Sequence, residues 1–288
     1  MRTYFKYICI FALGGAFFSC ETIVDLDLPQ NQQRLVVEGR IEKILGENSG
    51  YQQIRLSLTE DFFNDQLPPA ASNAMVSVID ENGRSWEFSE SETEPGLYTT
   101  DSLFAEIEIQ YTLSILYNGE TYEGRETLHA VPPIDSIYQV FVEENEFEDE
   151  GIRARINYRD PINAENFYLW EQYADGQLQL LPDPGNKFNL IASDEFYDGQ
   201  QIVGYEPNEE AVLEPGQTVQ IKQIAISKQT YDYYYIIFEQ TASGELFDPP
   251  PATIRGNVVN ITNSENYALG YFSAAEVSSQ SLTIEAIP

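Results

Sequence analysis

The residues able to do covalent or acid–base chemistry in this 288-residue chain are few in kind: two cysteines, one histidine, and 47 acids set against 15 lysines and arginines. A Ser-His-Asp relay needs a histidine oriented by a carboxylate. The lone His129 stands at the end of an expected strand, just before Pro132-Pro133, where a polar strand-end role is the plainer reading. Without a histidine pair or a cysteine cluster there is no ligand set for tetrahedral zinc. GxSxG, P-loop and GxGxxG signatures are missing from the sequence. The expectation is a non-enzymatic protein with no catalytic residue, no metal and no cofactor.

Carboxylates and aromatics are the remaining chemistry. EENEFEDEG, Glu143 to Gly151, gathers acid of the type that calcium accepts, but it lacks the alternating Asp/Asn ligands and sixth-position glycine of a calcium loop. A solvated hairpin loop is expected there, and glycosidase-like carboxylate pairs would arise by chance among so many acids. Trp86, Trp170 and Tyr233 could stack on a sugar ring or fill a partner's groove. Arg255, after the stiff run Pro249 to Pro251, could present a contact, with a rigid connection and a local ion pair as the plainer alternative.

Charge excludes a large class of partners. A formal net charge of -32 repels phosphate backbones, so nucleic-acid binding is not expected, nor is docking on anionic lipid through basic residues. Attachment to a membrane must come from the N-terminus. Arg2 and Lys6 precede the uncharged run YICIFALGGAFF, Tyr7 to Phe18, which is too short to span a bilayer comfortably, and Ser19 places a small residue before Cys20. The arrangement resembles a bacterial lipoprotein signal, although Phe17 and Phe18 replace the usual aliphatic and small residues. Cys20 is then the lipidated first residue of the mature chain. Cys9 leaves with the signal, so no intrachain disulfide is expected.

Short alternating segments account for most of the remaining sequence. Residues 20–34 read as a tether and Leu35 to Val131 as an N-terminal sandwich of about seven strands, immunoglobulin-like or transthyretin-like. Asn82-Gly83 and Asn118-Gly119 are expected as type I′ hairpin turns. Pro132-Pro133 marks a boundary, and residues 132–288 read as a second β-rich domain with Asp175-Gly176 as a turn. YFSAAEV and QSLTIEAI are expected as separate closing strands. One amphipathic helix is expected near 230–242, capped by Thr230 and ended by Gly244. Tyr231, Tyr234, Tyr235 and Phe238 form its buried stripe, and Tyr233 is its exposed tyrosine.

CETIVDLDLP (20–29), RLVVEGRI (34–41), VPPIDSIY (131–138), QTYDYYYIIFEQTASGELFDPPPATIRGNV (229–258) and ALGYFSAAEV (268–277) together resemble the domain of unknown function 4249 family of Bacteroidota lipoproteins. That resemblance implies an outer-membrane, lipid-anchored protein, often encoded near TonB-dependent receptors, with no established activity. The expected role is accessory or ligand-capturing partner of a TonB-dependent transporter, with a stand-alone adhesin or carbohydrate-binding lipoprotein as the alternative. Glu21, Asp25 and Asp27 favour the cell surface over the periplasmic face.

Overall fold

A computed structural model describes residues 33–60, 67–144, 149–179, 187–242 and 253–287. The chain is mostly β, with large sheets and a sandwich-like arrangement. Seven strands come first: β1 (Leu35–Ile44), β2 (Gln52–Leu58), β3 (Met75–Asp80), β4 (Ser85–Glu90), β5 (Leu97–Thr100), β6 (Gln110–Tyr117) and β7 (Glu120–Thr127). After the double proline come β8 (Ile134–Val142), β9 (Gly151–Arg159), β10 (Phe167–Ala174), β11 (Gln177–Leu178), helix α1 (Lys187–Leu190), β12 (Ile191–Ser193), β13 (Gln201–Tyr205) and β14 (Thr218–Ile226). Helix α2 (Lys228–Ala242), β15 (Val259–Asn260) and β16 (Leu269–Thr283) complete the order.

Alternation builds the first core. Leu35, Val37 and Ile41 of β1 point inward with Ile54 and Leu56 of β2, and they meet Val76, Val78, Leu113, Ile115 and Tyr122 from β3, β6 and β7. Gly39 occupies an inward position between Val37 and Ile41, where a Cβ would crowd Ile54 and Phe272 at 3.3–3.4 Å. Its missing side chain lets Phe272 of β16 enter the core.

The sheet does not stop at the Pro132-Pro133 boundary. It runs in the order β11-β10-β14-β16-β1-β2-β5-β4-β3-β6-β7-β15, and β16 is the strand that joins the halves. Its first part pairs in parallel with β1, Val36 opposite Leu269 through Ile44 opposite Val277, and its second part pairs antiparallel with β14, Ile224 opposite Val277 through Thr218 opposite Thr283. YFSAAEV and the QSLT of QSLTIEAI therefore belong to one strand that changes partner at Val277 and ends at Thr283. Residues 258 to 274 pack with the N-terminal core, through Val258, Ala268, Phe272 and Ala274.

The β10/β14/β16 region is covered on both faces. On one side the three-stranded sheet β13-β9-β8 supplies Ile152, Ile156 and Tyr158 against Tyr168, Trp170, Val219 and Ile221. On the other, Tyr231, Tyr234 and Phe238 of α2 cover Phe167, Leu169, Ile224, Ile226, Ala275 and Val277. Both side-chain sets of each strand are buried, which is why FYLW in β10 shows no alternation.

Turns follow local chemistry. Asn118-Gly119 and Asp175-Gly176 have positive φ at both positions, as a type I′ turn requires. Asn82-Gly83 departs from the expectation, because only Gly83 is left-handed. The buried Asp80 carboxylate accepts the Asn82 and Arg84 amides at 3.0 and 2.8 Å, holding the longer loop by an Asx-type turn instead.

Helix α2 starts two residues before the expected position. Ser227 is its cap: Ser227 Oγ accepts the Thr230 amide at 3.1 Å, and the Ser227 carbonyl accepts the Tyr231 amide at 2.9 Å. Thr230 is freed from capping and turns inward, where its hydroxyl donates to Glu126 Oε2 at 2.8 Å. Gly244, expected to end the helix, lies outside the described residues.

Candidate functional site

A groove of about 810 Å³ opens between α2 and the outer face of β16, β1 and β2. Strand pairing sets its floor as two cross-strand rows: Tyr271–Glu38–Arg55 and Ser273–Arg40–Gln53. Glu38, Arg40 and Glu42 share that face because they stand two apart on β1, opposite the buried Val37 and Ile41. The helix wall contributes Tyr233, Tyr234 and Ile237.

Arg40 is the fixed charge of the groove. Its guanidinium makes a two-pronged contact with Glu171 of β10, at 2.9 and 3.3 Å, and donates from Nε to Glu42 at 2.7 Å. Burial alone would depress its pKa, but Glu171 and Glu42 outweigh that and hold it above the ordinary value. Burial likewise works to raise Glu171, and Arg40 together with the Tyr173 hydroxyl overcomes it, so the carboxylate stays ionised. The cluster is a geometrically fixed donor and acceptor set in which one guanidinium is shared by two carboxylates.

Tyrosines supply the rest. Tyr233 lies against Tyr271 with ring centroids 4.6 Å apart and ring planes tilted by 35°, and burial, aided by Tyr234 and Glu38, pushes its pKa up to about 12. Burial also raises Tyr271. Both hydroxyls are therefore protonated at neutral pH, and with that of Tyr271 directed at Glu126 the pair presents ring surface rather than a nucleophile.

The residues singled out in the sequence fall in different places. Tyr233 lines the groove but is half-buried, and Tyr235, at 39 % exposure, is the outward tyrosine of the helix. The helix beds on two surfaces at once, the β10/β14/β16 face through Tyr231, Tyr234 and Phe238 and the β7/β16 side through Thr230 and Tyr233, so its buried arc is wider than a single stripe. Trp170 is fully buried, 4.3 Å from the Tyr205 ring, and its indole N–H donates to Gln223, which in turn donates to the Pro132 carbonyl. It ties the second core to the double-proline junction and cannot meet a ligand. Trp86 is half-buried against the first core, 6.4 Å from the Tyr111 ring, with the Arg84 guanidinium 5.6 Å from its own.

Arg255 is exposed and lies 3.8 Å from the centroid of Tyr267, whose ring also carries Arg34 at 3.6 Å. The contact is cation–π, and the expected ion pair is not seen among the described residues. His129 lies 3.3 Å from Glu108, 40 % exposed, consistent with a strand-end role. Cys20 and the prolines at 249–251 lie outside the described residues, as do 145–148 of the acidic run, whose Asp149 carbonyl accepts from buried Arg153.

Sequence reading missed Arg40 and Glu171, which are 131 residues apart and meet only when β16 brings β1 beside β14 and β10. It also missed three carboxylates, Asp160, Asp194 and Asp198, that converge beyond the end of β9, where the spacing of Asp194 and Asp198-Gly199 was the only local signal.

A family model described as "Domain of unknown function (DUF4249)" matches residues 21–281. No curated protein matches the chain.

Proposed function

We propose for this chain, which belongs to the domain of unknown function 4249 family, a non-enzymatic role as a lipid-anchored outer-membrane protein that captures a ligand as accessory partner of a TonB-dependent transporter. The observation that carries the reading is the groove under α2, in which the Arg40–Glu171–Glu42 set and the Tyr233–Tyr271 pair are held in place before any ligand arrives. Such a lining suits a neutral polar ligand with a flat or apolar face. Anchoring rests on Cys20 as acylated first residue, and the acidic residues after it favour the cell surface.

The test is a pull-down of the tagged, membrane-extracted chain from detergent-solubilised outer membrane. Recovery of a β-barrel receptor is the expected outcome, and mass spectrometry of the mature N-terminus should find an acylated Cys20. Recovery of no barrel protein, with the chain itself intact, would remove the transporter partnership. The paired tyrosines also favour a second reading, a stand-alone carbohydrate-binding surface protein. A glycan array separates the two: binding without a barrel partner, lost in Tyr233→Ala, selects the second.

A further inference from the structure

Two segments far apart in sequence meet beyond the end of β9. Asp160 follows Arg159, its amide donating to the Gln200 carbonyl, and residues 194–200 fold through successive turns in which Tyr197 N donates to Asp194 O and Gln200 N to Tyr197 O. The result gathers one carboxylate oxygen from each of Asp160, Asp194 and Asp198 within 4.8 Å of one another. Asp160 and Asp194 are each only 2 % exposed, whereas Asp198 faces solvent. The cluster borders a cavity of about 550 Å³ that Asp194 and Asp198 line together with Asn163 and Glu165.

The donors around these acids do not satisfy them. Asp160 accepts from the Tyr168 hydroxyl at 2.6 Å and the Gly199 amide at 2.9 Å, and Asp198 from the Asn163 amide at 2.8 Å. Asp194 Oδ2 is buried with no hydrogen-bond partner. Next to it Asn166, whose carbonyl accepts the Asp194 amide, buries a side-chain oxygen that also has none. None of the three aspartates forms an ion pair among the described residues, and Lys228 on the same cavity is held by Asp232 at 2.7 Å.

A single proton on one carboxylate could serve the Asp194 oxygen, but it would leave two negative charges facing each other at a largely buried site. A divalent cation would offset two of the three charges and take the Asp194 oxygen as a ligand. We propose that Asp160, Asp194 and Asp198 bind a calcium ion, with the buried Asp194 carboxylate as its inner ligand and Asp198 as the ligand at the mouth. Calcium–oxygen distances of about 2.3–2.6 Å let two ligands of one ion stand up to about 5 Å apart, so three oxygens within 4.8 Å of one another can share one calcium ion, whereas magnesium dehydrates reluctantly and demands stricter octahedral geometry. All-oxygen ligation also excludes a preference for zinc or copper. This site is separate from the acidic run at 143–151.

The intact chain, stripped of divalent ions with EDTA, should be titrated with calcium and with magnesium while its melting temperature is followed. A terbium titration should read tyrosine-sensitised emission, with Tyr168 as the donor in direct contact with Asp160. Calcium should raise the melting temperature with a Kd near or below the range of extracellular calcium modules, about 10⁻⁴–10⁻³ M, and magnesium should do much less. Asp194→Asn should weaken calcium binding at least about tenfold, as should Asp198→Asn, which at an exposed position keeps the fold if the first does not. A wild-type chain without response to 10-fold more calcium than that range overturns the assignment. So does unchanged calcium binding in both variants, which would put the ion elsewhere, or an Asp194→Asn chain more stable than wild type with no calcium effect in either, which would mean a shared proton.

Discussion

Helix α2 is docked by its N-terminus onto one buried carboxylate, and removing that carboxylate should undo the groove. Glu126 on β7 is 6 % exposed; its Oε2 accepts from Ser227 Oγ at 2.9 Å, Thr230 Oγ1 at 2.8 Å and the Tyr271 hydroxyl at 3.4 Å, and its Oε1 from the Thr127 amide at 3.0 Å. A hydrogen bond to a charged acceptor contributes about 1.5–3 kcal/mol, and an anion at a helix N-terminus about 0.3–1 kcal/mol, up to ~2 when partly buried. These overlap, and the 3.4 Å contact is weak, so Glu126→Ala should cost about 3 kcal/mol, chiefly by leaving the Ser227 and Thr230 hydroxyls only each other as partners. Glu126→Gln keeps shape and one acceptor, and the three hydroxyls can rotate to receive its amide, so about 1 kcal/mol is expected. Urea unfolding with unchanged slope gives both numbers, and hydrogen exchange at 230–238 should show the helix loosening first in the alanine variant. Equal losses in the two variants, or an alanine cost below about 1 kcal/mol, would refute the view that this carboxylate holds the helix.

Other positions give independent checks. Glu276, 2 % exposed on β16, accepts the Val131 amide at 3.0 Å and pairs with Lys43 at 2.7 Å, so Glu276→Ala should cost about 3–5 kcal/mol, and a single urea transition should persist because β16 serves both cores. Trp170→Ala should cost about 3–5 kcal/mol in the same assay, against a smaller loss for the half-buried Trp86→Ala. Glu120 accepts from Asn263, Asn266, Tyr122 and Asn260, which lower its pKa from 4.5 to about 2; the stabilisation is present above pH 4.5 and is lost as pH falls toward 2. Protection factors of amides 260–266 should fall across that window in wild type and stay flat in Glu120→Gln. Gly256→Ala should prevent folding, as judged by loss of near-ultraviolet dichroism, because its Cβ would overlap the Gly270 carbonyl while Gly270 itself sits at φ +79 against Val37.

Local chemistry carried much of the fold in readable form. Alternation located β1, β2, β3 and β6, and Asn118-Gly119 fixed its hairpin, because each depends on residues within a few positions. The same dipeptide at 82–83 misled because a carboxylate two residues earlier captured the turn amides. The amphipathic segment at 228–242 was recognisable as a helix, but which tyrosine faces out depends on a second contact surface, Tyr271, that no periodicity encodes. Trp170 shows the same limit from the other side: an indole suited to stacking on a ligand is consumed by Gln223 and Tyr205. The groove floor and the aspartate cluster were invisible because each joins chain segments that only the parallel β1–β16 pairing and the close of β9 bring together.

The position of β1 bears on how the protein answers force. Residue 33 is where a tether from Cys20 would enter the described structure, and two positions later the chain becomes a strand hydrogen-bonded on both sides, to β2 and to β16. A load applied along the axis of β1 would act on the ladder from Val36 to Ile44 all at once, in shear, whereas a load applied across it would unzip the bonds one at a time. Resistance to such a load is governed by the unfolding barrier rather than by equilibrium stability. A load entering at residue 33 would thus meet a strand paired on both sides, and single-molecule pulling from residue 33 should rupture at higher force than pulling across β15, which has only Val259 and Asn260 paired to β7.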